Sequence, residues 1–297
     1  MPRLFLLALL ALPACAADPP AVAEWLAAAK VGAPPAALKL VPFYTKHVDV
    51  LGVPVVASAK VSDAAVLEAA YLARLMLDAR PDVARAMADN KTRLAVMAVT
   101  ELTTDLPEHS DLKPKEHWDR RARGLGATRA RPAVSCAEEN LLMCPGDPYR
   151  GENIMIHEFA HAFHEMGLRT LDKQFDQRLA AAHKAAIDKG LWKGTYAATN
   201  KNEYWAEGVQ SYFHCNQAKG GIHNDVDTRE KLKAYDPDLF ALIDAAFKSP
   251  AWTYVPPTKR ADQPHLKALD RAALPKFAWP KKAESPSDDQ PRRGDKK

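Results

Sequence analysis

No CxxC pair occurs in the chain, and no apolar run after the first dozen residues is long enough to cross a bilayer. The first absence excludes a zinc ribbon, and the second a membrane-spanning helix of about 20 apolar residues. A block of one charge is missing too: 41 Lys and Arg stand against 37 Asp and Glu, spread along the chain to a net charge of +4. That distribution gives no footprint for nucleic acid. Internal repeats are also absent. What remains is ordinary globular composition, 47% hydrophobic and 26% charged over 297 residues, enough for one large domain or two small ones.

The first twenty residues, MPRLFLLALLALPACAADPP, have the form of an export signal. Arg3 makes a short positive start, Leu4 to Leu12 an apolar run too short to span a membrane, and small residues follow. Ala14-Cys15-Ala16 fits a cleavage site, which is the preferred reading. Leu12-Pro13-Ala14-Cys15 fits a lipoprotein box, which would leave a lipid on Cys15. Residues 1–16 are therefore expected to be a signal peptide, and the mature protein secreted or periplasmic, free or lipid-anchored. In that setting Cys136 and Cys144 are candidates to close a short disulfide loop, with Cys215 free; three free core cysteines are the alternative.

Hydrophobic periodicity places a short helix in AVAEWLAAAK and a strand pair in FYTKHVDVLGVPVVASAKV. A helix from Ser62-Asp63 runs to a stop at Pro81, and TRLAVMAVTEL is a buried strand. Residues 103–150 are rich in Pro, Gly and charge, and the five arginines between Arg120 and Arg131 are expected on a solvated loop or edge strand. Helices are expected from Asn153, across LRTLDKQFDQRLAAAHKAAIDKG with Gly190 as its cap, across EYWAEGVQSYFHCNQ, and as a pair split at Asp236-Pro237. From Lys259 the composition turns to Pro, Lys, Asp and Ser, so residues 259–297 are expected to be a mostly disordered tail.

The most chemically specific stretch is GENIMIHEFAHAFHEMG, residues 151–167. On a helix, His157 and His161 lie one turn apart on one face and can share a zinc ion, while Glu158 points aside, toward a water on that ion. Two histidines do not complete a site. A metzincin would need Gly at 164 and His at 167, and the chain has His164 and Gly167, so that family is excluded. A glutamate from a downstream helix is the next source, and TYAATNKNEYWAEGVQSYF offers Glu203 and Glu207.

Asn202-Glu203 followed by aromatic residues and Ala206 resembles the pattern around the glutamate ligand of gluzincins. Glu203 lies 42 residues after His161, with Tyr196 seven before it. This spacing is similar to that of the anthrax lethal factor type of zinc peptidase and the Pro-Pro endopeptidases. The resemblance covers about residues 151–213, roughly a fifth of the chain. It implies one zinc held by His157, His161 and Glu203, with Glu158 as base and then acid, Tyr196 on the oxyanion, and Glu207 orienting a histidine. His164 and His214 are expected to be structural, and Tyr204, Trp205, Tyr212 and Phe213 core aromatics. Asp172 and Asp176 are expected on a solvated helix face.

The expected fold is α+β and zincin-like: a single domain over 19–258, with an α/β part to about 150 whose small mixed sheet packs on the motif helix, and a mainly helical part after it. A zinc metalloendopeptidase acting on peptide or protein substrates is the leading functional expectation. A zincin-like surface module without activity, and a zinc amidase acting on a non-protein peptide link, are the alternatives.

Overall fold

A computed structural model describes residues 18–218 and 220–280; the expected signal peptide and residues 281–297 lie outside the described residues. The fold is mixed α+β. Four strands, β1 (Lys46–Val50), β2 (Val53–Ala57), β3 (Arg93–Met97) and β4 (Ala133–Ala137), form one sheet in sequence order. β1 and β2 are antiparallel, and β2, β3 and β4 run parallel. The first pair is a tight hairpin because Leu51 and Gly52 both take positive φ, 53° and 87°, which matches the twist of the strands.

Helix α1 (Pro20–Ala28) precedes the sheet, and α2 (Asp63–Leu77) and α3 (Pro81–Asp89) cross from β2 to β3. Ser62 caps α2 by accepting from the Ala65 N–H. Pro81, read in the sequence only as a stop, also opens α3: its fixed φ suits a first helical position, where no N–H is needed. Strands β3 and β4 read as continuous apolar runs because both faces are covered. Leu94, Val96, Val134 and Cys136 face the main core with α2, whereas Ala95, Met97 and Ala137 face a smaller cluster with Tyr44 and Leu106.

Between β3 and β4 the chain carries α4 (Lys115–Arg121), and after β4 a short turn of helix, α5 (Glu138–Leu141). All four strands precede α6 (Ile154–Ala162), which packs on β4 and α2 and continues through a π-helical turn (Phe163–Leu168) into α7 (Arg169–Leu171). Then come α8 (Phe175–Asp188), α9 (Lys201–Tyr212), α10 (Arg229–Tyr235) and α11 (Pro237–Phe247). Gly190, with φ of 76°, ends α8 as expected. Tyr204, Trp205, Tyr212 and Phe213 are fully buried core. Among the described residues no helix is long and apolar enough to cross a membrane.

Three expectations are corrected. Cys136, Cys144 and Cys215 are all free and buried. Cys136 faces the core from β4, while the Cys144 thiol lies beyond α5 against the Glu138 carbonyl. Burial pushes the Cys144 pKa up to about 12, so it has no thiolate character at neutral pH. Among the five arginines, Arg123 is not solvated. It is buried and forks onto Glu139 through Nε and Nη2 at 2.5 and 3.0 Å; Nη2 also donates to the Ala98 carbonyl at 3.1 Å, and Nη1 donates to the Glu101 carbonyl.

The segment 259–280 is packed, not loose. Arg260 and His265 both reach the buried Glu68, Leu266 is buried, and Phe277 lies over the Arg123 guanidinium at 4.6 Å. A few anchors at wide spacing do this work, and such spacing leaves no period in the sequence.

Candidate metal centre and cleft

Helix α6 starts where the sequence places it. The Asn153 side chain accepts from the Ile156 N–H, and Ile154, Met155, Ile156, Phe159 and Ala160 are buried, which sets the helix's rotation. His157 and His161 then emerge together, their Nε2 atoms 3.2 Å apart. Helix α9 approaches with Asn200 as its cap, accepting from the N–H groups of Asn202 and Glu203. It brings Glu203 Oε2 to 3.1 Å from His157 Nε2 and 3.3 Å from His161 Nε2.

These three atoms form a nearly equilateral triangle. Around tetrahedral zinc with bonds of about 2.0–2.1 Å, neighbouring ligand atoms stand about 3.3–3.4 Å apart. The triangle thus has the dimensions of three ligand corners. Glu158 brings a carboxylate oxygen within 4.8 Å of the histidine nitrogens, beside the triangle. The donor set fits zinc: two imidazoles and one carboxylate, with room for a water.

Electrostatics agree with the geometry. Burial opposes a charged His157, but the hydrogen bond with Glu203 and the charges of Glu158 and Glu207 outweigh it and push its pKa up to about 10. Glu203 is held well below the carboxylate range: burial opposes this too, and the bonds to His157 and His161 win. A point that pulls so hard on a proton pulls on a metal ion for the same reason, and the two compete. Burial holds Glu158 above the usual range. Tyr196 is pushed up to about 12, chiefly by burial, so its phenol keeps its proton at neutral pH.

Tyr196 sits in a short 3-10 turn (Tyr196–Ala198) before α9, its ring stacked on the His157 ring at 6.4 Å and 29°. The structure therefore brings together His157, Glu158, His161, Tyr196 and Glu203. Glu207 does not orient a histidine ligand, as was expected of it. Its nearest approach to His157 Nδ1 is 3.8 Å, whereas Gln210 Oε1 lies at 2.7 Å from that nitrogen. Accepting from Nδ1–H, Gln210 fixes the tautomer that leaves Nε2 free for metal. Its own amide is held by the Asn153 carbonyl at 3.3 Å. His164 is core, against Phe175 and Trp205, with Asp176 at 3.3 Å; Asp176 is thus less solvated than expected.

Sequence reasoning missed the opposite wall. Leu125 pairs antiparallel with Ser135, so the segment after Arg123 lies along the edge of β4 and over α6. A Cβ on Gly124 would stand 2.6 Å from Ile154 and 3.0 Å from Glu158, and one on Gly126 2.8 Å from His161. Only glycine lets this strand-like rim approach the motif helix so closely. Gly-Leu-Gly inside a charged loop was the available signal.

The cleft between rim and helices has two halves that share Arg121, Gly124, His157, Glu158 and Tyr196. One half, about 320 Å³, continues past His161 and Glu203 toward Trp118 and Thr128. The other, about 260 Å³, continues past Tyr149 and Glu152 toward Ile222 and His223. A larger hollow of about 620 Å³ lies between α8 and α11, lined mostly by alanine and leucine with Asp172 and Asp238 among its polar residues and no histidine or glutamate.

No family model, curated protein or solved structure matches the chain.

Proposed function

We propose that this protein is a zinc-dependent metallopeptidase with a zincin-like arrangement: a mixed sheet behind an HExxH helix and a glutamate ligand from a second helix. The observation that carries the reading is the triangle of His157 Nε2, His161 Nε2 and Glu203 Oε2, with edges of 3.1–3.3 Å, lying beside Glu158 and Tyr196 in one cleft. Five residues from two distant stretches of sequence meet at one point. A purely structural zinc site closes its fourth position with another ligand, whereas a cleft lies open beside this one.

Bound at the triangle, zinc supplies a Lewis acid that acidifies water and polarises a carbonyl. The chain's own residues do the rest. Glu158, beside the triangle and raised in pKa by burial, takes the proton of the attacking water and returns it to the departing amine. Tyr196 keeps its phenolic proton at neutral pH and donates a hydrogen bond to the carbonyl oxygen as charge develops there. Gln210 holds the His157 ring, so the ligand does not need to reorient during turnover.

The cleft extends on both sides of Glu158, which suits a chain that continues in both directions from the bond to be cut and supports endopeptidase action. Export, which the leader-like stretch suggests, rests on that stretch alone, since the cysteines are free. The deciding experiment is metal content with peptide hydrolysis. Zinc-replete protein should hold about one ion per chain and cleave members of a mixed peptide library at neutral pH, and Glu158→Gln should keep the ion and lose cleavage. A zinc-loaded protein that cleaves nothing would overturn the peptidase reading in favour of a binding module.

A further inference from the structure

Glu207 was expected to serve a metal ligand, yet its contacts lie elsewhere. Its Oε2 lies 3.2 Å from His223 Nδ1 and accepts from Asn216 Nδ2 at 3.1 Å. Both Glu207 and the His223 side chain are less than a tenth exposed. His223 closes a tight turn, its N–H donating to the Gly220 carbonyl at 3.1 Å, and Gly220 and Gly221 supply the positive φ values of 131° and 60° that the turn requires. Directly before His223, the Ile222 carbonyl accepts from the Tyr196 N–H at 2.8 Å. The Ile222 side chain stands 51% exposed and lines the cleft.

These contacts form a chain from α9 to the phenol. Glu203 faces the two histidines, Glu207 one turn later grips His223, and the residue beside His223 holds the backbone of Tyr196. Tyr196 lies in a three-residue turn after Gly194; its half-buried ring stacks on His157, and its backbone N–H is held by the Ile222 carbonyl. We propose that His223 and Glu207 are positioning residues that pin the Gly220–His223 turn to α9 and so hold Tyr196 beside the metal ligands.

Glu152 joins Glu207 and His223 in a group whose ligand atoms lie within 4.8 Å of one another, a spacing that would also suit a second cation. The contacts favour the pin, because the Glu207 oxygen that faces His223 is shared with Asn216 and already satisfied.

The catalytic consequence rests on the peptidase reading; the pin itself does not, so two measurements are needed. The first is hydrogen exchange on zinc-loaded protein. His223→Ala should speed exchange of the Tyr196 amide about tenfold or more while metal stays at one equivalent, and His223→Asn, which keeps a donor near Nδ1, should restore most of the protection. The second is a double-mutant cycle with Tyr196→Phe.

Alone, His223→Ala should lower kcat at least about fivefold with KM within about twofold. In the Tyr196→Phe background it should lower kcat no further, because there is no phenol left to misplace. Equal losses in both backgrounds, an unchanged Tyr196 exchange rate, or a second equivalent of metal that His223→Ala removes would each overturn the proposal. A wild type without hydrolytic activity would sink the peptidase reading, and the exchange experiment would still decide whether the pin exists.

Discussion

Floor and rim of the cleft are built by different means. The floor is two helices whose side chains are set by local rules: an Asn cap at Asn153 and at Asn200, an apolar face that fixes rotation, and His157 and His161 one turn apart. The rim, Arg123 to Thr128, has no regular structure beyond a bridge to Ser135. Buried charge holds it from behind through Arg123 and Glu139, and glycines at 124 and 126 let it lie against the helix. Local rules place chemistry, and long-range contacts place the wall that confines it.

The floor should show the larger functional effects. Glu203→Ala removes one of the three proposed ligands and leaves two histidines, so metal content at neutral pH should fall well below one equivalent and activity with it. Glu158→Gln should keep its metal and lose about 10²- to 10⁴-fold in kcat, the range expected for a general base. Metal analysis beside peptide turnover separates the two variants. If Glu158→Gln lost its metal, Glu158 would be a ligand and the division of labour on α6 would be wrong.

The rim should answer in stability first. Arg123→Ala leaves Glu139 buried without its partner, and breaking such a pair costs about 3–5 kcal/mol. Phe277 also loses the cation it covers, so the 259–280 segment should loosen at lower denaturant than the helices do. Denaturant unfolding, with limited proteolysis of that segment, tests this. A loss under about 1 kcal/mol would mean that the rim does not depend on the pair.

Gly126→Ala is gentler and aimed at the join between the two walls. The new methyl would meet His161, a proposed ligand backed by a packed helix, at 2.8 Å, and such overpacking costs about 1–3 kcal/mol. Metal affinity should fall more than global stability does, because the strain falls on His161. Competition with a chelator reads the one and thermal unfolding the other; equal affinity in both proteins would show that the rim yields instead.

The same contrast explains what the sequence disclosed. Both strand runs, the Asp236-Pro237 break and the buried aromatics follow from periodicity and caps, and the i, i+4 spacing puts His157 and His161 on one face; Glu203 and Tyr196, which the structure brings beside them, were selected by the resemblance alone. Arg123 looked solvated because four other arginines surround it, and its partner Glu139 lies across a strand. Gln210 escaped notice because an amide carries no charge to mark it, and Glu207, one turn after Glu203, was the expected mate for His157. Phe277 and His265 were passed over because their neighbours in sequence are Pro and Lys, while their neighbours in space are Arg123 and Glu68.

The smallest effect at neutral pH concerns the back of the rim. His109 is fully buried, its Nε2 3.0 Å from Ser135 Oγ, which accepts in turn from the Leu125 N–H at 3.0 Å. Burial, helped by the charge of Arg131, lowers its pKa to about 4, against Glu108 and Asp111 which oppose the shift. In the unfolded chain it returns to an ordinary value of about 6.5. Between those two values the unfolded state holds more protons than the native one, so acid favours unfolding. The His109 contribution is therefore intact above about pH 6.5 and lost progressively as pH falls toward 4. His109→Leu cannot take up that proton, while Ser135 keeps its bond to Leu125. From pH 7 to pH 5 the variant should lose less stability than the wild type, and parallel pH profiles of urea midpoints would show that the histidine is reached by solvent without unfolding and that the rim is looser than its contacts imply.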